Sequence, residues 1–386
     1  MRLKDPFTPG FGKSPLILAG RQDMVDEFDE AIVDGPGATS RAMLYTGARG
    51  TGKTVMLNEI GDVANQHGWL AVHETADEGF VTRLVGHLLP KLLSRIDPDA
   101  RHTKATGVTT PIGGLDWTTV DTHIVTATLR GQLELLCTIL REQGTGLLIT
   151  LDEIHYRNAA ELRGFFATLQ HLIREDHEIA FAAAGLASEI SDLLSDDVLT
   201  FLRRAERKVL GAVAYGEVER ALRETITAGG RAIEPAALAQ AARATGGYPF
   251  LIQLVGSHVW KQSKTDIITP ADVDAGTAKA MTRLGSLVHE PALADLSPAD
   301  RSYLLAMAHD NGPSNTSEIA ARLGKDAQWG SVYRKRLIDA QMIQSTGHGL
   351  VTFTLPYMRE FLRQHAALDA QIELAGGFGE LPTTSW

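Results

Sequence analysis

Apolar positions along this chain follow two different rhythms. In the first half, near-continuous apolar runs recur: Ala42-Met43-Leu44-Tyr45, Trp69-Leu70-Ala71-Val72, Gly146 to Leu151, and Ile179 to Ala184. Runs this short and this unbroken read as strands buried on both faces. Between them the period changes to that of a helix, at 22–33, 55–67, about 79–96, about 123–143 and 159–174. The clearest stripe is Leu162, Phe165, Phe166, Leu169, Leu172 and Ile173. Strand and helix alternate as βαβαβαβ, which predicts an α/β fold with a parallel sheet covered on both faces. Residues 97–122 interrupt the pattern with Asp97-Pro98, Pro111 and Gly113-Gly114, marking an inserted hairpin or loop.

From residue 211 the pattern is helical only. Helices are expected at 216–228 and from Pro235 to Gly246-Gly247, then from Pro249 and from Thr269-Pro270 towards His289. These form a lid bundle over 211–292. A new unit opens at Leu296-Ser297-Pro298, with helices to about His309, at 317–324 and from Asp326 to about Ala340. Two short strands then flank Gly347-His348-Gly349. Three helices and a hairpin predict a winged helix-turn-helix over 293–366. The expected division is an irregular Pro- and Gly-rich arm at 1–20, a core at 21–210, lid, winged helix, and a tail at 367–386.

Composition narrows the functional classes. A net charge of −10 over 386 residues argues against a chain that coats nucleic acid or anionic membrane with its whole surface. The lone cysteine, Cys137, sits in an apolar run and reads as a core residue; no internal disulfide is possible. No run approaches membrane-spanning length and the first residues carry no apolar leader, so a cytoplasmic protein without a membrane partner is expected.

The candidate chemistry lies between strand and helix. Gly47-Ala48-Arg49-Gly50-Thr51-Gly52-Lys53-Thr54, followed by Val55, reads G-x-x-x-x-G-K-[ST], the phosphate-binding loop of P-loop NTPases. Its glycines let successive backbone N–H groups face phosphate oxygens, and the helix N-terminus adds partial positive charge. Lys53 then reaches the β- and γ-phosphates, and the Thr54 hydroxyl ligates Mg²⁺. The run Leu147 to Leu151 ends in Asp152-Glu153, the pattern of a Walker B strand: Asp152 holds Mg²⁺ and Glu153 orients the attacking water. Such a glutamate marks NTPases in which it sits on an added strand beside the P-loop strand, so the Asp152-Glu153 strand is expected next to Ala42–Tyr45. Arg203, Arg204 and Arg207 follow the last core strand, with Arg204 the first choice for a γ-phosphate contact, in cis or from a neighbouring subunit.

The last unit holds eight Lys or Arg against six Asp or Glu between 296 and 366, a balance of +2 in an acidic chain. Arg334, Lys335 and Arg336 lie on its expected recognition helix, pointing to double-stranded DNA; contact with a protein partner is the alternative.

Taken together, the chain resembles AAA+ and STAND ATPases, and among them archaeal-type relatives of the origin-recognition and cell-division-cycle replication initiators. The residues behind the resemblance are Ala19-Gly20-Arg21, the P-loop, Leu151-Asp152-Glu153, Arg204-Ala205, Gly246 to Leu251 and the winged helix. It implies ATP or ADP as the cofactor with Mg²⁺, Leu18, Ala19 and Arg21 near the adenine, and Pro249 closing over the nucleotide from the lid. It also implies a nucleotide-controlled switch able to form homo-oligomers. Two features depart from the pattern: the strand ending at Gly185 lacks a polar sensor residue, with Ser188 a poor replacement, and the Gly246–Leu251 segment carries no arginine. Both omissions point to slow or partner-stimulated hydrolysis.

Overall fold

The computed structural model describes residues 3–10, 12–96, 128–196 and 199–365. The insertion expected at 97–122, the first residues of the helix expected from His123, and the tail at 367–386 lie outside the described residues.

Five strands form the central sheet: β1 (Ala42–Thr46), β2 (Leu70–Thr75), β3 (Leu147–Ile154), β4 (Ile179–Gly185) and β5 (Glu206–Val209). Their order is β2-β3-β4-β1-β5, and every neighbouring pair is parallel. The strand carrying Asp152-Glu153 is therefore not beside the P-loop strand, as the sequence suggested. β4 intervenes, pairing Thr46 with Gly185 on one side and Leu151 with Ala183 on the other.

Side chains alternate between two cores. Met43, Tyr45, Leu148, Ala180 and Ala182 face α1 (Gln22–Asp34) and α2 (Lys53–Gln66). Leu44, Leu147, Ile149, Ile179 and Phe181 face the helices of the other side. Those are α3 (Phe80–Arg83), α4 (Leu89–Ile96), α5 (Leu129–Glu142) and α6 (Ala159–Arg174). Burial of both strand faces is what made the apolar runs continuous. Burial pushes the Cys137 thiol up to about 12, so this side chain packs as a small hydrophobe. A π-turn at Leu84–Leu88 joins α3 to α4 just ahead of Pro90, which has no N–H to continue the helical ladder. β5 was not visible in the sequence because Glu206-Arg207-Lys208-Val209 is charged; it is an edge strand, and charge there discourages further pairing. α7 (Ala187–Ser195) follows β4.

The remaining elements form a second body. α8 (Tyr215–Ala228), α9 (Pro235–Thr245), α10 (Pro249–Gln262) and α11 (Pro270–Leu284) make the lid, with a minimal parallel pair β6 (Ala232–Ile233) and β7 (Ile267–Ile268). A second π-turn, Gly285–His289, leads into α12 (Glu290–Ala294) ahead of Pro291. α13 (Pro298–Ala308), α14 (Thr316–Arg322) and α15 (Ala327–Asp339) follow. β8 (Ser314–Asn315), β9 (Ile343–Gly347) and β10 (Leu350–Phe353) form a sheet in the order β8-β10-β9, and a helix at 358–365 closes the unit. This is a winged helix-turn-helix. Capping boxes at Thr269/Asp272 and Ser297/Asp300 fix the starts of α11 and α13.

Lid and winged helix are continuous inside. One hydrophobic cluster runs from Val218, Leu251 and Val255 through Leu284 to Tyr303, Leu337 and Phe361. Gly285 shows how close the two come: a Cβ there would sit 2.8 Å from the Phe361 ring. Phe7, from the N-terminal arm, belongs to the same cluster.

Candidate nucleotide site

The phosphate loop runs from the end of β1 into α2. Gly50 (φ 74°) and Gly52 (φ 92°) take left-handed conformations that turn the chain into the helix. Gly47 is fixed by space, since a Cβ would lie 2.5 Å from Thr51 Oγ1 and 2.6 Å from the Leu210 carbonyl oxygen. Lys53 folds back under the loop and donates to the carbonyls of Gly47 (2.8 Å) and Ala48 (3.0 Å). Burial lowers its pKa, while Asp152 and Glu153 oppose that shift. An incoming phosphate would offer the ammonium stronger, charged acceptors than these carbonyls.

Thr54 and Asp152 meet across β1, β4 and β3: Thr54 Oγ1 donates to Asp152 Oδ2 at 2.5 Å. A hydroxyl and a carboxylate converging beside a phosphate loop are the protein ligands a Mg²⁺ ion needs there, so the residues present fit the ion. The next residue, Glu153, is exposed and left-handed (φ 55°), with its N–H donating to Asp152 Oδ1 at 2.9 Å. A non-glycine residue held this way sits in a strained backbone region, of the kind that gathers at functional sites.

These groups open onto a cavity of about 610 Å³ between the two bodies, within the usual range for a small-molecule site. Arg49 through Val55 line its floor, with Asp152 and Glu153 at one end. Leu18, Ala19 and Arg21 line it, and so does Pro249 from α10. The Arg21 guanidinium donates to the Gly211 carbonyl, and burial lowers its pKa. The lid grips the loop through two bonds: Tyr248 Oη donates to the Arg49 carbonyl at 2.5 Å, and the Phe250 N–H donates to the Gly50 carbonyl at 3.3 Å.

Two P-loop positions differ from expectation. Gly47 and Ala48 do not line the cavity; they lie beneath it as acceptors for Lys53. For Arg204 the in-cis half of the expectation is corrected. It is exposed and precedes β5, whose Glu206 pairs with Met43 while Val209 pairs with Thr46. Arg204 thus sits at the opposite end of the sheet from the phosphate loop, on the order of 15 Å along the strands. It does not reach its own cavity, and neither does Arg203 nor Arg207.

The sequence reading missed the arm. Thr8, Pro9 and Lys13 line the cavity, as do His155 and Gln253. Only the Pro/Gly-rich composition of residues 1–20 marked the segment, and that reads equally well as a loose tail. Gly185 lines the cavity without a polar side chain. Ser188 does not replace one: its hydroxyl donates instead to the Asp339 carbonyl at the end of α15, at 2.9 Å.

On α15 the three basic residues separate. Arg334 donates to Ser345 Oγ on the wing at 3.0 Å. Arg336 donates to Asp300 Oδ2 at 2.8 Å and lies over the Tyr333 ring at 5.2 Å. Lys335 faces solvent, on the same side as Gln328, Ser331 and the half-exposed Val332 (51% exposed). No described helix is long and apolar enough to cross a membrane.

Comparison with known proteins agrees with this geometry. Residues 17–182 match the family model of the AAA ATPase domain. Residues 286–362 match a family described as a domain of unknown function (DUF8462). No curated protein matches the sequence. The whole fold is similar to the Walker-type ATPase Paby2304 of Pyrococcus abyssi, at 15% identity and a TM-score of 0.63, covering 90% of this chain and 96% of that one. It is also similar to the Orc2 protein of Aeropyrum pernix in its ADPNP–ADP complexes, at 14% identity and a TM-score of 0.62, covering 96% and 100%.

Proposed function

With a core that is an AAA+ ATPase domain, we propose that this chain is an ATP-driven switch whose nucleotide state sets the posture of its winged helix on duplex DNA. The observation that carries the reading is the Thr54–Asp152 contact at 2.5 Å, flanked by Lys53 and Glu153. A Mg²⁺ ion held there supplies charge for the β- and γ-phosphates. Lys53 leaves its carbonyls for the phosphates, and the loop N–H groups hold the polyphosphate. Leu18 and Arg21 enclose the base end, and Pro249 and Tyr248 close the lid. Glu153 orients a water in line with the γ-phosphorus and polarises it for attack.

Hydrolysis in this reading is slow. The sensor position at Gly185 is bare, and none of Arg203, Arg204 and Arg207 lines the cavity of its own chain. In this reading Arg204, exposed at the far end of the sheet, acts on the site of a second copy, which makes ATP-dependent oligomers part of the proposal. Loss of ATP binding in Lys53→Ala, with binding kept but turnover lost in Glu153→Gln, tests the chemistry. Turnover at the wild-type rate in Glu153→Gln sinks it.

A second reading has the winged helix contact a protein. It is favoured by Arg334 and Arg336 being engaged within the fold and by Val332 on the open face. Titration of random duplex DNA at several salt concentrations separates the two: DNA binding gives a salt slope that Lys335→Ala reduces by about one phosphate contact. Absence of any DNA binding selects the protein-contact reading.

A further inference from the structure

The arm crosses the cavity from one body to the other. On the lid side, Asp5 Oδ2 accepts from Ser257 Oγ (2.6 Å) and pairs with Lys261 Nζ (3.0 Å). Phe7 is 4% exposed, and its ring approaches Gly256 so closely that a Cβ there would lie 2.3 Å away. The Thr8 N–H donates to Gln253 Oε1 at 3.1 Å. On the core side, Asn58 Nδ2 of α2 donates to the Gly12 carbonyl at 2.8 Å, and a Cβ on Gly12 would sit 3.7 Å from Thr54 Cγ2. Thr8 Oγ1 donates to the Ser14 carbonyl at 3.3 Å, closing a loop whose far side rests against α2.

That loop delivers a cation. Lys13 follows Gly12 directly and lines the cavity, beside the first turn of α2 that presents Lys53 and Thr54. Among the described residues no carboxylate pairs with Lys13. Lys208 and Lys261, by contrast, are taken up in ion pairs. The polyphosphate end of a nucleoside triphosphate is the strongest acceptor this cavity would contain. Of the two arginines that line the cavity, Arg21 donates to the Gly211 carbonyl and Arg49 is paired with Asp295.

We infer that Lys13 is a nucleotide-binding residue that reaches from the arm to the terminal phosphate of a bound nucleoside triphosphate, in cis. The ammonium donates to a γ-phosphate oxygen that a diphosphate does not have. The arm thereby distinguishes ATP from ADP and ties that distinction to the lid, to which Asp5 and Phe7 are bound. This rests on the ATP reading above.

Fluorescent ATP and ADP analogues titrated with Mg²⁺ into the full chain test it. In Lys13→Ala, ATP affinity is expected to fall about tenfold while ADP affinity stays within about twofold, and Lys13→Arg is expected to keep most of the ATP affinity. Thermal unfolding without nucleotide should match the wild type, because Lys13 is exposed. An unchanged ATP-to-ADP affinity ratio in Lys13→Ala overturns the inference, whether both affinities hold or both fall together. If Lys53→Ala binds ATP as well as the wild type, it is the ATP reading itself that fails; the Lys13 ratio is informative only when Lys53→Ala abolishes binding, so the two failures are told apart.

Discussion

Tyr248 of the lid holds the phosphate loop by its backbone: its hydroxyl donates to the Arg49 carbonyl at 2.5 Å and stands directly over Gly50. A Cβ at Gly50 would lie 2.0 Å from that hydroxyl and 2.6 Å from the ring carbon bearing it, at a φ of 74° that disfavours any other residue. Gly50→Ala should therefore separate lid from core and abolish ATP binding. Tyr248→Phe removes only the bond, at about 1 kcal/mol, and should weaken ATP binding several-fold in a nucleotide titration.

Glu153→Gln preserves shape and removes the base. Phosphate release should fall by roughly 10²-fold or more, with ATP affinity within about threefold of wild type. Asp152→Ala should instead remove the Mg²⁺ dependence of ATP binding, measured as the difference between titrations with Mg²⁺ and with a chelator.

The basic residues of α15 should divide by role. Asp300 is almost fully buried (its side chain is 4% exposed) and Arg336, 53% exposed, is its cationic partner. Arg336→Ala leaves that carboxylate with its capping bonds alone, a loss on the order of 1–2 kcal/mol, read as a lower melting temperature. Lys335→Ala should leave the melting temperature unchanged and weaken DNA binding. If Arg336→Ala weakens DNA binding without lowering stability, the division is wrong.

His289 gives the fold a pH dependence. It is 1% exposed, between the π-turn and the 358–365 helix; Nε2–H donates to the Pro356 carbonyl at 2.9 Å, and Nδ1 has no hydrogen-bond partner. Burial lowers its pKa to about 4 from 6.5. Between those values the unfolded chain binds the proton and the folded one does not. The contribution is complete above about pH 6.5 and is lost as pH falls towards 4, reaching about 3 kcal/mol. Denaturant titrations across that window should show the slope, and His289→Gln should flatten it.

The phosphate loop, the Asp152-Glu153 strand and the helical second half were legible because each imposes a pattern on neighbouring residues: fixed spacing, unbroken apolar runs, a period of 3.6. What stayed hidden depends on distant partners. β5 is charged because it is an edge, and its pairing with β1 is not written in its four residues. That β4 separates β3 from β1 is a matter of strand order, which local sequence does not encode. Arg204 lies near the Walker elements in sequence order, yet parallel pairing carries it to the opposite end of the sheet. Lys13 sits in a stretch with no periodicity, and only the anchoring of Phe7 against Gly256 and of Gly12 against Asn58 brings it to the cavity.

The unbroken core joining lid and winged helix turns the second body into a single lever. Packed interiors resist shear, so α15 cannot tilt alone when Tyr248 lets go of Arg49. The chain passes from β5 into this body through Gly211 to Val213, where Arg21 donates to the Gly211 carbonyl and the Val213 N–H donates to the Gly247 carbonyl at 2.7 Å. In the proposed switch, a rotation of this body against the core must break the Ser188–Asp339 bond, which ties the end of α15 to α7.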